Sequence, residues 1–334
     1  MRGFADAVVR EAHLRLPEGW APHTIYFGGG TPSMLSPTHL AAIVAGLQQR
    51  IDTSRAVEWS FESNPATFTR AKVEQWRSLG INRVSLGAQS FEPELLRLLG
   101  REHTPEQIAR SVQLLRECGI EQVSLDLMFC LPGQTPELWR HTLQQALALQ
   151  PDHISTYSLT LEENTPFASA YTPPDEDTEV ALYSLAHDLL TEAGWRHYEV
   201  SNYAASSAAR SQHNMAYWYG RDYYALGPGA CGTVGGLRYT NAPDTAAYIR
   251  ALAAGELPPC ETEHLSSAAR RTELLGLRLR TDEGLPTGLL AEDDAAAVRM
   301  LCDEGLARLT PDARLVLTPR GLLLADEIAL QLMH

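Results

Sequence analysis

Apolar positions between residues 24 and 160 switch repeatedly between two spacings. Short β-branched or aromatic runs end in a Gly, Pro or Asn break, and each is followed by a segment with apolar positions at helical spacing. The runs at 24–27, 57–61, 83–86, 122–127 and 153–157 predict strands, and 195–200 predicts a sixth after a helix over 179–193. The helices carry start signals. Ser36-Pro37 places a capping hydroxyl before a proline at the first helical position, and Leu40, Ile43, Val44, Leu47 and Ile51 follow on one face. Thr104-Pro105-Glu106-Gln107 reads as a capping box ahead of Ile108, Val112 and Leu115, with Gly119 as the stop. Thr135-Pro136 repeats the device, and Thr69 is expected to cap a helix ending at Gly80.

Strands that alternate with helices of this length require parallel βαβ crossovers. The expected fold class is therefore α/β, either a doubly wound sheet or an incomplete barrel. Beyond Val200 the pattern changes to small and polar residues with Gly227-Pro228-Gly229 and Gly235-Gly236, which predicts an irregular segment. Helical spacing over 268–278 and 295–304, with the apolar run 315–317, predicts a small helical module with a β-wing. The expected domain layout is a partial βα barrel over 1–205, an irregular segment packed on it over 206–260, and a C-terminal winged module over 261–334.

Composition narrows the function. The chain has 334 residues, 44% of them hydrophobic, enough for a large core. Twenty-seven basic against 41 acidic residues give a net charge of −14, which disfavours nucleic acid as a partner because phosphate-backbone binding relies on Lys and Arg. No apolar run reaches membrane-spanning length, and the N-terminal residues lack a signal-peptide pattern, so a cytoplasmic location is expected. Cys118, Cys130, Cys231, Cys260 and Cys302 are odd in number and widely spaced, which disfavours a secreted disulfide framework and predicts buried structural thiols.

Parallel α/β folds gather ligands at the carboxyl ends of their strands. Those ends read Gly28-Gly29-Gly30-Thr31-Pro32, Glu62-Ser63-Asn64-Pro65, Gln89-Ser90 and Asp126. The glycines let backbone approach a ligand closely, but neither phosphate-loop spacing is present and no Lys follows. Glu62 and Asp126 serve equally well as helix caps, Gln89 as a partner for loop backbone, and Arg101 as a surface charge. Taken together they offer carboxylates for a ribose diol or an amino group and a guanidinium for a carboxylate, a set suited to an amino-acid nucleoside.

These motifs resemble a known family. GGGTP at 28–32, E-x-N-P at 62–65, GAQS at 87–90, the Arg101 region, SLDLMFCLPGQT at 124–135 and HNMAYWYGRDYYALGPGA at 213–230 are similar to the oxygen-independent coproporphyrinogen III oxidase family of radical-SAM proteins, in its shorter heme-chaperone branch, HemW. The resemblance covers nearly the whole chain. It implies a partial parallel (β/α)6 barrel missing its first strand, with a winged-helix-like C-terminal module. It also implies that Gly29, Gly30, Thr31, Glu62, Gln89, Arg101 and Asp126 bind S-adenosyl-L-methionine (SAM). The segment His213-Asn214-x-x-Tyr217-Trp218 lies where that branch is thought to engage heme, with His213 as a candidate iron ligand. The alternative for that segment is a structural His–Asn turn under an aromatic cluster.

Family members hold a [4Fe-4S] cluster on a C-x-x-x-C-x-x-C loop, a spacing these five cysteines do not offer. The stretch 4–11 resembles the helix that follows that loop, so the chain is expected to begin after it, without the cluster step. The function implied first is heme delivery by a heme chaperone. Oxidative decarboxylation of porphyrinogen propionates ranks second, and a cluster-free heme- or SAM-binding protein third. No recipient heme protein is indicated, and a homodimer or peripheral membrane contact stays open.

Overall fold

The computed structural model describes residues 2–161 and 171–333. Helix α1 (Arg2–Arg15) leads into strand β1 (Thr24–Phe27), followed by α2 (Pro37–Arg50), β2 (Glu58–Ser63), α3 (Arg70–Ser78) and β3 (Arg83–Gln89). Next come α4 (Pro93–Leu98), α5 (Pro105–Glu117), β4 (Gln122–Phe129), α6 (Pro136–Ala148), β5 (His153–Ser158), α7 (Glu176–Glu192), β6 (Arg196–Glu199) and β7 (Asn202–Ala204). One sheet joins them in the order β1-β2-β3-β4-β5-β7-β6, with β1 to β5 mutually parallel. It is a curled half-barrel covered by helices on its outer face, as the α/β partial-barrel expectation required.

The strands alternate strictly. Trp59, Phe61, Val84, Leu86, Val123, Leu125, Leu127 and Ile154 face outward, buried against Val73, Trp76, Ile108, Val112, Leu115, Trp139 and Leu143 of the helices. Each such side chain contributes roughly 1.5–3 kcal/mol by leaving water. The opposite face carries Tyr26, Ser60, Glu62, Arg83, Ser85, Ser124, Asp126, His153, Ser155 and Tyr157 around the cavity. Parallel strands are ordinarily apolar on both faces. A polar inner face is unstable against a packed core and makes sense where it lines a ligand space.

Several caps behave as the sequence predicts. Thr104 and Gln107 form a reciprocal capping box, and Ser36 and Thr135 accept from the first turns of α2 and α6. Thr69 occupies the N-cap of α3 without a side-chain bond, contrary to expectation. The sixth strand also departs from a simple barrel. A bend at 200–201 turns the chain back as β7, which pairs antiparallel to both β5 and β6 and so displaces β6 to the sheet edge.

The region expected to be irregular contains regular structure. It holds α8 (Gln212–Trp218), β8 (Cys231–Val234), β9 (Leu237–Asn241), α9 (Thr245–Ala253) and β10 (Cys260–His264). Gly235 and Gly236, both at positive φ (59° and 81°), make the two-residue turn between β8 and β9. The segment is tied to α1 by buried Glu11, which accepts from Asn241 Nδ2 (2.8 Å), Gly227 N–H (2.8 Å), the Tyr248 hydroxyl (2.6 Å) and Arg15 Nε (3.1 Å).

The C-terminal elements α10 (Ser267–Leu279), β11 (Leu285–Pro286), α11 (Ala295–Asp303), β12 (Ala307–Leu309), β13 (Arg314–Leu317), α12 (Pro319–Leu323) and α13 (Ala325–Gln331) enclose their own apolar cluster. The thiols are not uniformly buried: Cys118 and Cys130 are, Cys231 and Cys302 are half-buried, and Cys260 is exposed on β10. Cys260 escapes because every residue of β10 faces solvent.

Candidate functional site

A cavity of about 360 Å³ opens inside the curl of the sheet. Its wall is assembled from Tyr26 on β1, Glu62 on β2, Arg83 and Gln89 on β3, Asp126 on β4, His153 and Tyr157 on β5, and Asn214 on α8. Parallel strands in register bring these side chains level: Glu62 stands beside Ser85, and Asp126 beside Ser155. A break in register between Leu86 and Gln89 and a positive φ of 65° at Gln89 aim that amide into the cavity, as bulges do.

The glycine turn closes one side. Gly29 and Gly30 have φ of 81° and 66°, and a Cβ on either would meet nothing, so conformation rather than space calls for glycine there. Gly28 differs, because an added Cβ would lie 2.2 Å from Tyr26 Cε1. The Gly29 N–H donates to Glu62 Oε2 (3.0 Å), and the Tyr26 hydroxyl donates to Glu62 Oε1. Thr31 stands at the head of the short turn that follows and makes no capping bond. Glu62 therefore serves the glycine turn rather than a helix terminus.

Asp126 is buried and accepts from Ser85 Oγ (2.8 and 2.9 Å) and Ser155 Oγ (2.9 Å), capping no helix. Burial raises its pKa to about 6 against the lowering effect of the two serines, with Glu62 adding to the rise. His153 is held between Ser124 Oγ (2.7 Å at Nδ1) and the Tyr198 hydroxyl (2.8 Å at Nε2), and burial keeps its imidazole neutral.

Arg101 does not enter this cavity. It lines a neighbouring space of about 380 Å³ with Asn64, Thr67, His103 and Gln107, and donates to Asn64 Oδ1 (3.2 Å). Partial burial lowers its pKa, a sign that its charge is incompletely solvated.

The His213 segment is positioned from below by a residue that sequence reasoning missed. Glu58 at the start of β2 is 5% exposed and accepts from the backbone N–H groups of Gln212 and His213, each at 3.0 Å. Ser60 Oγ (3.1 Å) and Ser211 Oγ (3.4 Å) also donate to it, and Arg83 Nη1 lies 3.6 Å away. Thus a carboxylate on the sheet satisfies the first turn of α8.

His213 sits beside β1. Its Nδ1 lies 3.0 Å from Thr24 Oγ1 and its Nε2 3.1 Å from the Tyr217 hydroxyl, while its ring stacks on Tyr26. Burial lowers its pKa to about 4, against a small raising effect from Glu58, so the imidazole is neutral at physiological pH. Asn214 reaches the cavity and Tyr217 is partly exposed beside Tyr223. Trp218 turns away and packs with Tyr198, Ala204, Ala209 and Met215. Sequence reasoning also missed Tyr26, Arg83 and His153. For Arg83 and His153 the signal was available in the polar alternation of β2 to β5.

The residues present fit some cofactors and not others. The glycine turn, the Glu62 carboxylate and buried Asp126 with its serines suit the amino, ribose and base groups of an amino-acid nucleoside. The neutral His213 suits a heme iron. Among the described residues no group of three His, Cys, Asp or Glu side chains is arranged to hold a metal, and the five cysteines are free.

Residues 5–146 match the radical SAM superfamily. The chain is 32% identical over 320 residues to the heme chaperone HemW of Bacillus subtilis (strain 168), covering 91% of this chain and 84% of the relative. It is 35% identical over 267 residues to the heme chaperone HemW of Lactococcus lactis subsp. lactis (strain IL1403), covering 78% and 70%. In three dimensions it is similar to the radical SAM enzyme coproporphyrinogen III oxidase (HemN) from Escherichia coli. The TM-score there is 0.83 at 22% identity, over 98% of this chain and 82% of that one, and the likeness concerns the fold.

Proposed function

The chain belongs to the HemW heme chaperones of the radical SAM superfamily, and from that premise we propose that it binds SAM within the half-barrel and heme at His213 for delivery to a recipient protein. The observation that carries the heme part is His213, a neutral imidazole beside the start of β1 with aromatic neighbours on two sides. Neutral imidazole is the form that ligates iron, and Tyr26 and Tyr217 supply faces and edges against which a porphyrin packs. Opening Nε2 requires the Tyr217 hydroxyl to swing away, which its 38% exposure permits.

For SAM, Glu62 takes the ribose hydroxyls, the Gly29 to Thr31 backbone meets the methionine amino group, and Gln89 and Asp126 take the remaining polar groups. Arg101, in the adjoining space, takes a carboxylate. SAM supplies reductive radical chemistry in the presence of a cluster. The role proposed for this chain's own residues is binding and transfer. A cytoplasmic setting belongs to the same reading; among the described residues no helix is long and apolar enough to cross a membrane. The three-part division at 205 and 260 belongs to the same reading.

The test is a heme titration followed by visible absorption. A stoichiometric Soret shift in the wild type that is absent from His213→Ala supports the reading, and no shift in the wild type overturns it.

A further inference from the structure

Tyr26 touches both halves of this site. Its hydroxyl donates to Glu62 Oε1, and its ring lies against His213 with centroids 4.5 Å apart and planes inclined by 12°. Tyr26 is 38% exposed, and its Cε1 lies against Gly28 at the glycine turn. The imidazole is held on two further sides, by Thr24 at Nδ1 and by Tyr217 at Nε2. The second Glu62 oxygen is taken by Gly29. A single aromatic ring thus bridges the carboxylate assigned to the nucleoside and the imidazole assigned to the iron.

We propose that Tyr26 couples the two ligands, so that SAM and heme each strengthen the other's binding; this rests on the assignment of Glu62 and His213 above. A ribose diol donates its own hydroxyls to a carboxylate and competes directly with the phenol for Glu62 Oε1. Burial and the nearby carboxylate raise the phenol's pKa, so it remains a donor and loses its acceptor when the diol arrives. The ring then leaves the glycine turn toward the solvent to which Tyr26 is already exposed.

His213 loses its stacking partner in that move. With one of its three restraints gone, the imidazole turns more easily out of the Tyr217 bond that occupies Nε2, the atom iron needs. In the other direction, iron ligation draws His213 away from Tyr26 and weakens the hold of the phenol on Glu62. Linkage requires the two effects to be equal in size. A hydrogen bond to a charged group sets that size at about tenfold.

Heme is titrated into the full chain by visible absorption, with and without SAM at a concentration shown by calorimetry to be saturating. Wild type is compared with Tyr26→Phe, which keeps the ring and removes only the donor. The expected result is a heme Kd lowered about tenfold by SAM in the wild type and by less than about twofold in Tyr26→Phe. Calorimetry without heme is expected to give tighter SAM binding to Tyr26→Phe than to wild type. An unchanged heme Kd in the wild type overturns the coupling while leaving the heme assignment intact, as does an undiminished effect in Tyr26→Phe. No heme binding to either protein removes the heme assignment and the coupling together. Failure of SAM to bind either protein, or weaker binding to Tyr26→Phe, overturns the competition for Glu62.

Discussion

Replacing Glu58 by Ala probes how the half-barrel holds its His213 segment. The carboxylate is buried beside Arg83, whose side chain is 5% exposed, and it is the acceptor for two backbone N–H groups of α8. Removing one partner of a buried ion pair costs about 3–5 kcal/mol, because the remaining charge is left without compensation. Part of that cost falls as water from the cavity reaches Arg83, and part returns as the two N–H groups lose their acceptor. At roughly 1.4 °C per kcal/mol for a chain of this size, the midpoint of thermal unfolding falls by about 4–7 °C. Glu58→Gln keeps an acceptor oxygen and is expected to fall by about half as much. Differential scanning calorimetry reads both. A fall below about 2 °C for Glu58→Ala would refute the claim that this carboxylate anchors α8.

Three further outcomes follow from the buried titratable groups and caps. Glu199 is 1% exposed, and burial raises its pKa to about 7, so the folded state keeps a proton that the unfolded chain releases near pH 4 to 5. Stability therefore declines as pH rises through that window, and Glu199→Gln is expected to unfold up to about 3 kcal/mol harder than wild type at pH 8 and equally at pH 4. With His213 near pKa 4, heme affinity is expected to be flat between pH 5.5 and 8; a tenfold fall toward pH 5.5 would contradict its buried, neutral state. Ser211 accepts from the Asn214 N–H at 3.2 Å, so Ser211→Ala is expected to lower stability by about 1 kcal/mol, read by urea unfolding.

Much of the half-barrel could be read from the sequence because its outer face obeys simple rules. Residues 24–27 and the capped starts at Ser36, Thr104 and Thr135 fall where spacing and capping chemistry put them. The strand β7 was illegible, since three residues carry too little pattern and its place depends on pairing with β5. The β8–β9 hairpin was hidden by its glycines, which read as irregularity although they are what a two-residue turn requires. At the site, strand-end polar residues pointed to Glu62, Gln89 and Asp126, which the structure brings to one cavity. Arg101 was grouped with them but faces the adjoining space, a difference set by the loop after α4. Glu58, Arg83 and His153 lie at the starts of β2, β3 and β5, and a rule that looks only at the carboxyl ends of strands passes over them.

The most direct test of the account is chemical rescue of the heme complex. The visible spectrum of heme with His213→Ala is recorded before and after adding free imidazole. If His213 ligates iron, the wild-type spectrum is lost in the variant and returns with imidazole. A variant that binds heme with the wild-type spectrum and affinity, without added imidazole, would contradict the assignment on which the functional reading rests.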